Sequence, residues 1–151
     1  DSEKENLTKY GFKIWKDYLQ TFNTNNNCIS KWLWKVWRKL TTIPRITTYE
    51  KYIKLFIRDF VDNEDTIPCI CPNFDHSPRS KQYGVVIVNS TPRNWKRICQ
   101  IVFDRVKNKP HEENIVLIKS WNEWGEGNYM EPDLKFGKGY ITSTREALNS
   151  L

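Results

Sequence analysis

Histidine and cysteine supply most metal sites and many nucleophilic centres, and this 151-residue chain holds two of the first and four of the second. His76 and His111 form no zinc-ligand spacing with the cysteines. Cys69 and Cys71 lie two apart in an apparent strand and so share a face, while Cys28 and Cys99 have no matching pair. The thiols therefore read as reduced and structural, as in a reducing compartment, and no metal site and no cofactor is expected. There is no apolar run long enough to span a membrane and no signal peptide. A cytoplasmic bacterial location follows as an expectation, although the chain opens in charged sequence and leaves room for an upstream segment. Long runs of one charge are also missing. The net charge is +6 and the pI near 9.1, yet no basic run exceeds pairs such as Arg38-Lys39, and acidic residues are interleaved throughout. This is a solvated basic surface, not a nucleic-acid interface. Apart from the asparagines at 23–27, no low-complexity tract or internal repeat is visible.

Aromatic residues, by contrast, are abundant. Seven each of Trp, Tyr and Phe make up 14% of the chain. Their flat faces suit either a core or the C–H faces of sugar rings.

The periodicity alternates helix and strand. Ile14, Trp15, Tyr18, Leu19 and Phe22 form a helical stripe, and residues 30–40 fit either a strand or a helix. After Pro44, Thr47 or Thr48 caps a helix that places Tyr49, Tyr52, Ile53, Phe56 and Phe60 on one face. Residues 67–72 read as a buried strand leading into the loop 73–79, and Val85 to Val88 as a second strand. Thr91 as N-cap with Pro92 behind it predicts a helix that buries Trp95, Ile98, Cys99, Val102, Phe103 and Val106. A third apolar run, Ile115 to Ile118, feeds into Trp121-Asn122-Glu123-Trp124-Gly125-Glu126-Gly127, and a last helix covers about Thr142 to Leu148. The order argues for an α/β fold with parallel strands.

In such folds ligand-binding groups gather beyond the carboxyl ends of the strands, where loops 73–79 and 121–133 both fall. Glu123 and Glu126 are three apart. On a helical turn this sets their Cβ atoms about 5–6 Å apart on one side, so that two carboxylates flank one glycosidic bond as acid and base or nucleophile. Asn122 can donate to a sugar hydroxyl, Trp121 and Trp124 offer stacking walls, and Tyr129, Glu131 and Asp133 add further polar contacts. In the other loop Asp75 can bind sugar hydroxyls, with Arg79 pairing to it or to an anionic substituent. An Asp75–Arg79 pair that merely holds the loop together fits equally well. His76 reads as a loop hydrogen-bonding residue.

Trp121-Asn122-Glu123-Trp124-Gly125-Glu126-Gly127, followed by Met130-Glu131-Pro132-Asp133 and Gly137-Lys138-Gly139-Tyr140, resembles the C-terminal signature of glycoside hydrolase family 99-like, WbsX-type proteins. The stretch from Pro72 to Arg79 is similar to the family's strand-end Asp-Asn-x-Pro-Arg motif, and Ser90-Thr91-Pro92 also matches. The likeness is strongest over residues 45–150. It implies a (β/α)₈ barrel and a glycan substrate of surface polysaccharide or lipopolysaccharide. From the related endo-α-mannosidases it implies that Glu123 deprotonates a sugar 2-hydroxyl and that Glu126 protonates the leaving group. Gly125 replaces the histidine usual in those hydrolases, which leaves hydrolysis and transfer both open.

A full barrel needs about 200 residues and typically about 250. The chain is therefore expected to be one partial domain, residues 1–151, forming the C-terminal half of a (β/α)₈ TIM-type barrel. It would be a fragment of a longer protein, or a unit that self-associates through its open barrel edges. The functions that follow are a carbohydrate-active enzyme, a glycosyltransferase of O-antigen biosynthesis, or a non-catalytic glycan-binding fragment.

Overall fold

A computed structural model describes residues 32, 33, 35, 36, 39–57 and 67–151, with the backbone alone at 58–60. The predicted stripe from Ile14 to Phe22, the asparagine loop and Cys28 lie outside the described residues, as does the side chain of Phe60. Of the ambiguous segment, the described residues at 32, 33, 35, 36, 39 and 40 are helical.

Strand β1 (Arg45–Thr48) follows Pro44 and leads directly into helix α1 (Tyr49–Phe60). Thr48 caps the helix, its hydroxyl accepting from Lys51 N at 3.3 Å. Tyr49, Tyr52, Ile53 and Phe56 recur at helical spacing, and all four are buried. Two tyrosine hydroxyls on this face then hold the next strand in place. Tyr49 donates to the Cys71 carbonyl at 2.6 Å and Tyr52 accepts from Cys71 N at 3.0 Å.

The run predicted over 67–72 pairs only at β2 (Cys69–Ile70), since Pro68 and Pro72 bound it and neither has an N–H for a ladder. The chain then forms β3 (Phe74–Asp75), the single helical turn α2 (Ser77–Ser80), a 3₁₀ turn at Lys81–Tyr83 and β4 (Val85–Val88). Helix α3 (Pro92–Val106) starts where Thr91 predicts, with the Thr91 hydroxyl accepting from Asn94 N. It buries the same six side chains, Trp95, Ile98, Cys99, Val102, Phe103 and Val106. The run beginning at Ile115 pairs only at β5 (Leu117–Ile118). A hairpin, β6 (Asn122–Glu123) and β7 (Asn128–Tyr129), encloses a 3₁₀ turn at Trp124–Glu126, and helix α4 (Gly139–Leu148) ends the chain.

Strand β4 sits between β1, to which it is parallel, and the antiparallel β3. Strands β2 and β5 form a separate parallel pair, and β6 and β7 an antiparallel one. The described strands form no closed barrel. One continuous core joins them, with α3 packed along α4 and Trp95 fully buried at their crossing. There the Trp95 indole N–H donates to the Thr144 hydroxyl at 2.8 Å.

Candidate functional site

Because β2 and β5 are parallel, the loops that leave them emerge at the same end. This brings residues 71–79 against residues 119–131, although some fifty positions separate them in sequence. The contact is stitched by buried asparagines. Asn73 accepts from Tyr129 N through Oδ1 at 2.8 Å, and the fully buried Asn128 accepts from Ser120 N at 2.8 Å. Ser120 Oγ in turn donates to the Asn128 carbonyl at 2.7 Å and accepts from Glu123 N. Gly127 lies where the loops touch. Its φ is +51°, a region that disfavours side chains, and an added Cβ would sit 2.9 Å from Asp75 Cβ. Gly84 permits a second close approach, since a Cβ there would lie 2.9 Å from the backbone of His76 and Ser77.

Glu126 is the electrostatic centre. Its side chain is only 13% exposed, and it accepts from Arg79 Nη1 at 2.9 Å and from Lys119 Nζ at 3.0 Å. His76 Nε2 stands 3.6 Å away on the Arg79 side. The ring of His76 lies parallel to that of Phe74, and its Nδ1 shares a hydrogen bond of 2.8 Å with Ser80 Oγ. Lys119 Nζ also lies 5.4 Å from the centre of the Phe74 ring. Burial raises the Glu126 pKa. The hydrogen bond from Lys119 and the charges of Lys119, His76 and Arg79 outweigh it, leaving the pKa below the ordinary carboxylate value. The fold therefore holds Glu126 as an anion.

The Asp75–Arg79 pair, one of the alternatives for this loop, does not form. Asp75 Oδ1 instead accepts from Ser77 N at 2.9 Å and from Ser77 Oγ at 2.5 Å, so Asp75 organises its own turn and Arg79 reaches across to Glu126. A carboxylate two residues before a serine closes such a turn locally, which removes Asp75 as the partner for Arg79.

The two glutamates do not share a regular helical turn. Glu123 ends β6 and Glu126 ends the 3₁₀ turn. Glu123 is half-buried, and one of its carboxylate oxygens lies 3.4 Å from the position a Gly125 Cβ would take. Asn122 is exposed and lies opposite Tyr129 in the hairpin. The two tryptophans line different depressions. Trp121, 56% exposed, faces an apolar groove of about 390 Å³ with Ile118, Met130, Ile141 and Leu148. Trp124, 48% exposed, lines a cleft of about 440 Å³ with Tyr129 and the turn 132–135. Its ring stacks on Tyr129 with centroids 3.8 Å apart, and its indole N–H donates to Glu131 Oε2 at 2.6 Å.

Lys119, Asn73, Ser120 and Asn128 escaped the sequence reading. Lys119 follows the β5 run directly, and that position at a strand end was the one signal that could have marked it. The asparagines act through buried backbone contacts, which have no period in sequence. Among the described residues no cluster of His, Cys, Asp and Glu could hold a metal ion, and no helix is long and apolar enough to cross a membrane.

This chain is similar to the uncharacterized protein WxcX of Xanthomonas campestris pv. campestris. The match is 34% identical over 82 residues in strain B100 and equally so in strain ATCC 33913. It covers 54% of this chain and 12% of those relatives, so the chain aligns with only about an eighth of their length. No solved structure matches it. The family model described as glycosyltransferase WbsX matches residues 3–144, nearly the whole chain, and the chain therefore belongs to the WbsX-type family of polysaccharide-biosynthesis proteins.

Proposed function

We propose that the strand-end loops carry a glycan-processing site of surface-polysaccharide assembly, in which Glu126 and Glu123 are the working carboxylates and the chain forms part of a (β/α)₈ barrel. The observation that carries this reading is the cradle of Lys119 and Arg79 around a nearly buried Glu126, beside exposed aromatic faces.

The cradle favours one direction of proton flow. A proton donor needs a raised pKa, whereas the fold lowers that of Glu126. As an anion, Glu126 is in the protonation state of a base toward an acceptor hydroxyl, and the lowered pKa and the two cations weaken it as one. The hydroxyl oxygen bonds to the anomeric carbon of a glycosyl donor, the bond to the leaving group breaks with its electron pair, and the proton passes to Glu126. Transfer to a growing glycan uses that sequence of events, and the family's glycosyltransferase description agrees with it. Glu123 is the second carboxylate, and in this reading its negative charge stabilises positive charge at the anomeric carbon. Either role needs Lys119 or Arg79 to release a carboxylate oxygen first, and hydrolysis with Glu126 as acid needs its pKa raised as well.

Glu126→Gln and Glu123→Gln should each lower turnover by about 10²–10⁴-fold with glycan binding retained. The assay is transfer from activated glycosyl donors to polysaccharide acceptors, with release of free sugar followed in parallel. Unchanged turnover in both variants overturns the assignment. One observation favours a second reading, a non-catalytic glycan-binding module: both oxygens of Glu126 are already engaged by cations. A wild-type chain that binds glycan and turns none over would establish it.

A further inference from the structure

The cleft beside Trp124 is lined by Trp124, Tyr129, Pro132, Asp133, Leu134 and Lys135. Neither Glu123 nor Glu126 lines it, and neither do the cations around Glu126. The separation follows from local geometry. Trp124 and Glu126 are two residues apart on a 3₁₀ turn with three residues per turn, so their side chains leave it in different directions.

The cleft is built, not incidental. An indole left 48% exposed would ordinarily sample several rotamers, yet Trp124 is fixed twice, by the stack on Tyr129 and by the hydrogen bond to Glu131. The facing turn is also fixed. Asp133 Oδ1 accepts from the backbone N–H of Lys135 and of Phe136, and backbone bonds between Asp133 and Gly137 close the loop. This presents the fully exposed Leu134 at the rim, beside Lys135, whose ammonium lies 4.9 Å from the centre of the Phe136 ring. A volume near 440 Å³ lies within the roughly 300–1,000 Å³ typical of small-ligand sites. A rigid aromatic wall and an apolar rim suit the apolar C–H face of a sugar ring.

We infer that this cleft is a pyranose subsite, apart from the two carboxylates, that takes an uncharged sugar unit of an extended glycan, and that Glu131 is the positioning residue of Trp124. The inference rests on the glycan reading given above but not on catalysis. It makes the substrate a chain of at least two sugars, one held at the carboxylates and one in the cleft. It also reassigns Glu131 from sugar contact to orientation of the indole.

Native affinity electrophoresis of the 151-residue chain through gels containing mannan, galactan, dextran or xanthan tests it. The wild type should be retarded by at least one polysaccharide, with Trp124→Ala weakening the apparent Kd tenfold or more. Trp124→Phe, which keeps a ring but loses the N–H, should fall between them. Glu131→Ala should match Trp124→Phe, and Glu131→Gln, which keeps an acceptor, should stay near wild type. Circular dichroism checks that each variant is folded. No retardation in any gel overturns the inference, and so does equal retardation of wild type and Trp124→Ala. Glu126→Gln in the same gels keeps the two readings apart: retarded like wild type, it shows a subsite independent of the carboxylates, whatever becomes of turnover.

Discussion

Glu126 accepts hydrogen bonds from Lys119 and Arg79 at a position where little water reaches it, and the consequence extends to stability. Its folded-state pKa lies below the ordinary value of 4.5. A depressed carboxylate pKa contributes stability that is fully present above the unfolded value and disappears as pH falls through the folded one. Glu126→Gln should therefore cost about 1–2 kcal/mol near neutral pH, a charge-assisted hydrogen-bond figure reduced because both cations are partly exposed. In urea titrations the gap between the variant and wild type should narrow from about pH 7 to about pH 3. A gap of the same size at both pH values would show that the ion pairs contribute nothing. Near neutral pH the same ionisation leaves Glu126 without a proton to give. The motif around Glu126 was legible in the sequence. Its protonation state was not, because Arg79 arrives from a loop 47 residues away and no local pattern shows that the Lys119 side chain turns back onto Glu126.

Among the elements, α3 was the most legible. Its cap, its proline and its six buried side chains all follow from positions a few residues apart, and such local rules survive folding. Thr91→Ala removes the acceptor for Asn94 N and should lower stability by about 1 kcal/mol. Thr91→Asn should recover most of that loss, and thermal unfolding of the two variants reads the difference. A cap worth nothing would leave both at the wild-type midpoint. The short strands were read less well. β1 lies in Arg45–Thr48, a segment taken only as the approach to a helix. Its strand character comes from the parallel ladder with β4, a partner some forty residues away. The runs at 67–72 and 115–118 were recognised as apolar, but only two residues of each pair. How far a ladder extends depends on where the partner strand ends.

For the molecule as a whole, one core couples the helices to the site. Trp95 touches it at the crossing of α3 and α4, and the same cluster contains Tyr49 and Tyr52, which fix β2 and through it the loop carrying Arg79. Trp95→Ala should cost about 3–5 kcal/mol through the cavity and the lost indole bond. That is a large part of the roughly 5–15 kcal/mol that stabilises a typical domain. Urea unfolding should show a midpoint far below wild type or no cooperative transition, and an unchanged midpoint would mean the α3–α4 crossing does not carry the core. Because the chain aligns with only 12% of its WxcX relatives, whatever the longer proteins do with other segments is a separate question from the chemistry of these loops.

By itself the sequence determined the family, helices α1 and α3 and the loop in which the carboxylates lie. Each of these is written in residues close together along the chain. The tertiary structure decided the rest: that Arg79 pairs with Glu126 and not Asp75, that Lys119 completes the cradle, and that Trp121 and Trp124 face different depressions. The Arg79 contact depends on two parallel strands opening their loops at the same end, which joins segments far apart in sequence, whereas Lys119 and the two tryptophans take their places from the path of the chain through the hairpin. No local pattern encodes which side chains then meet.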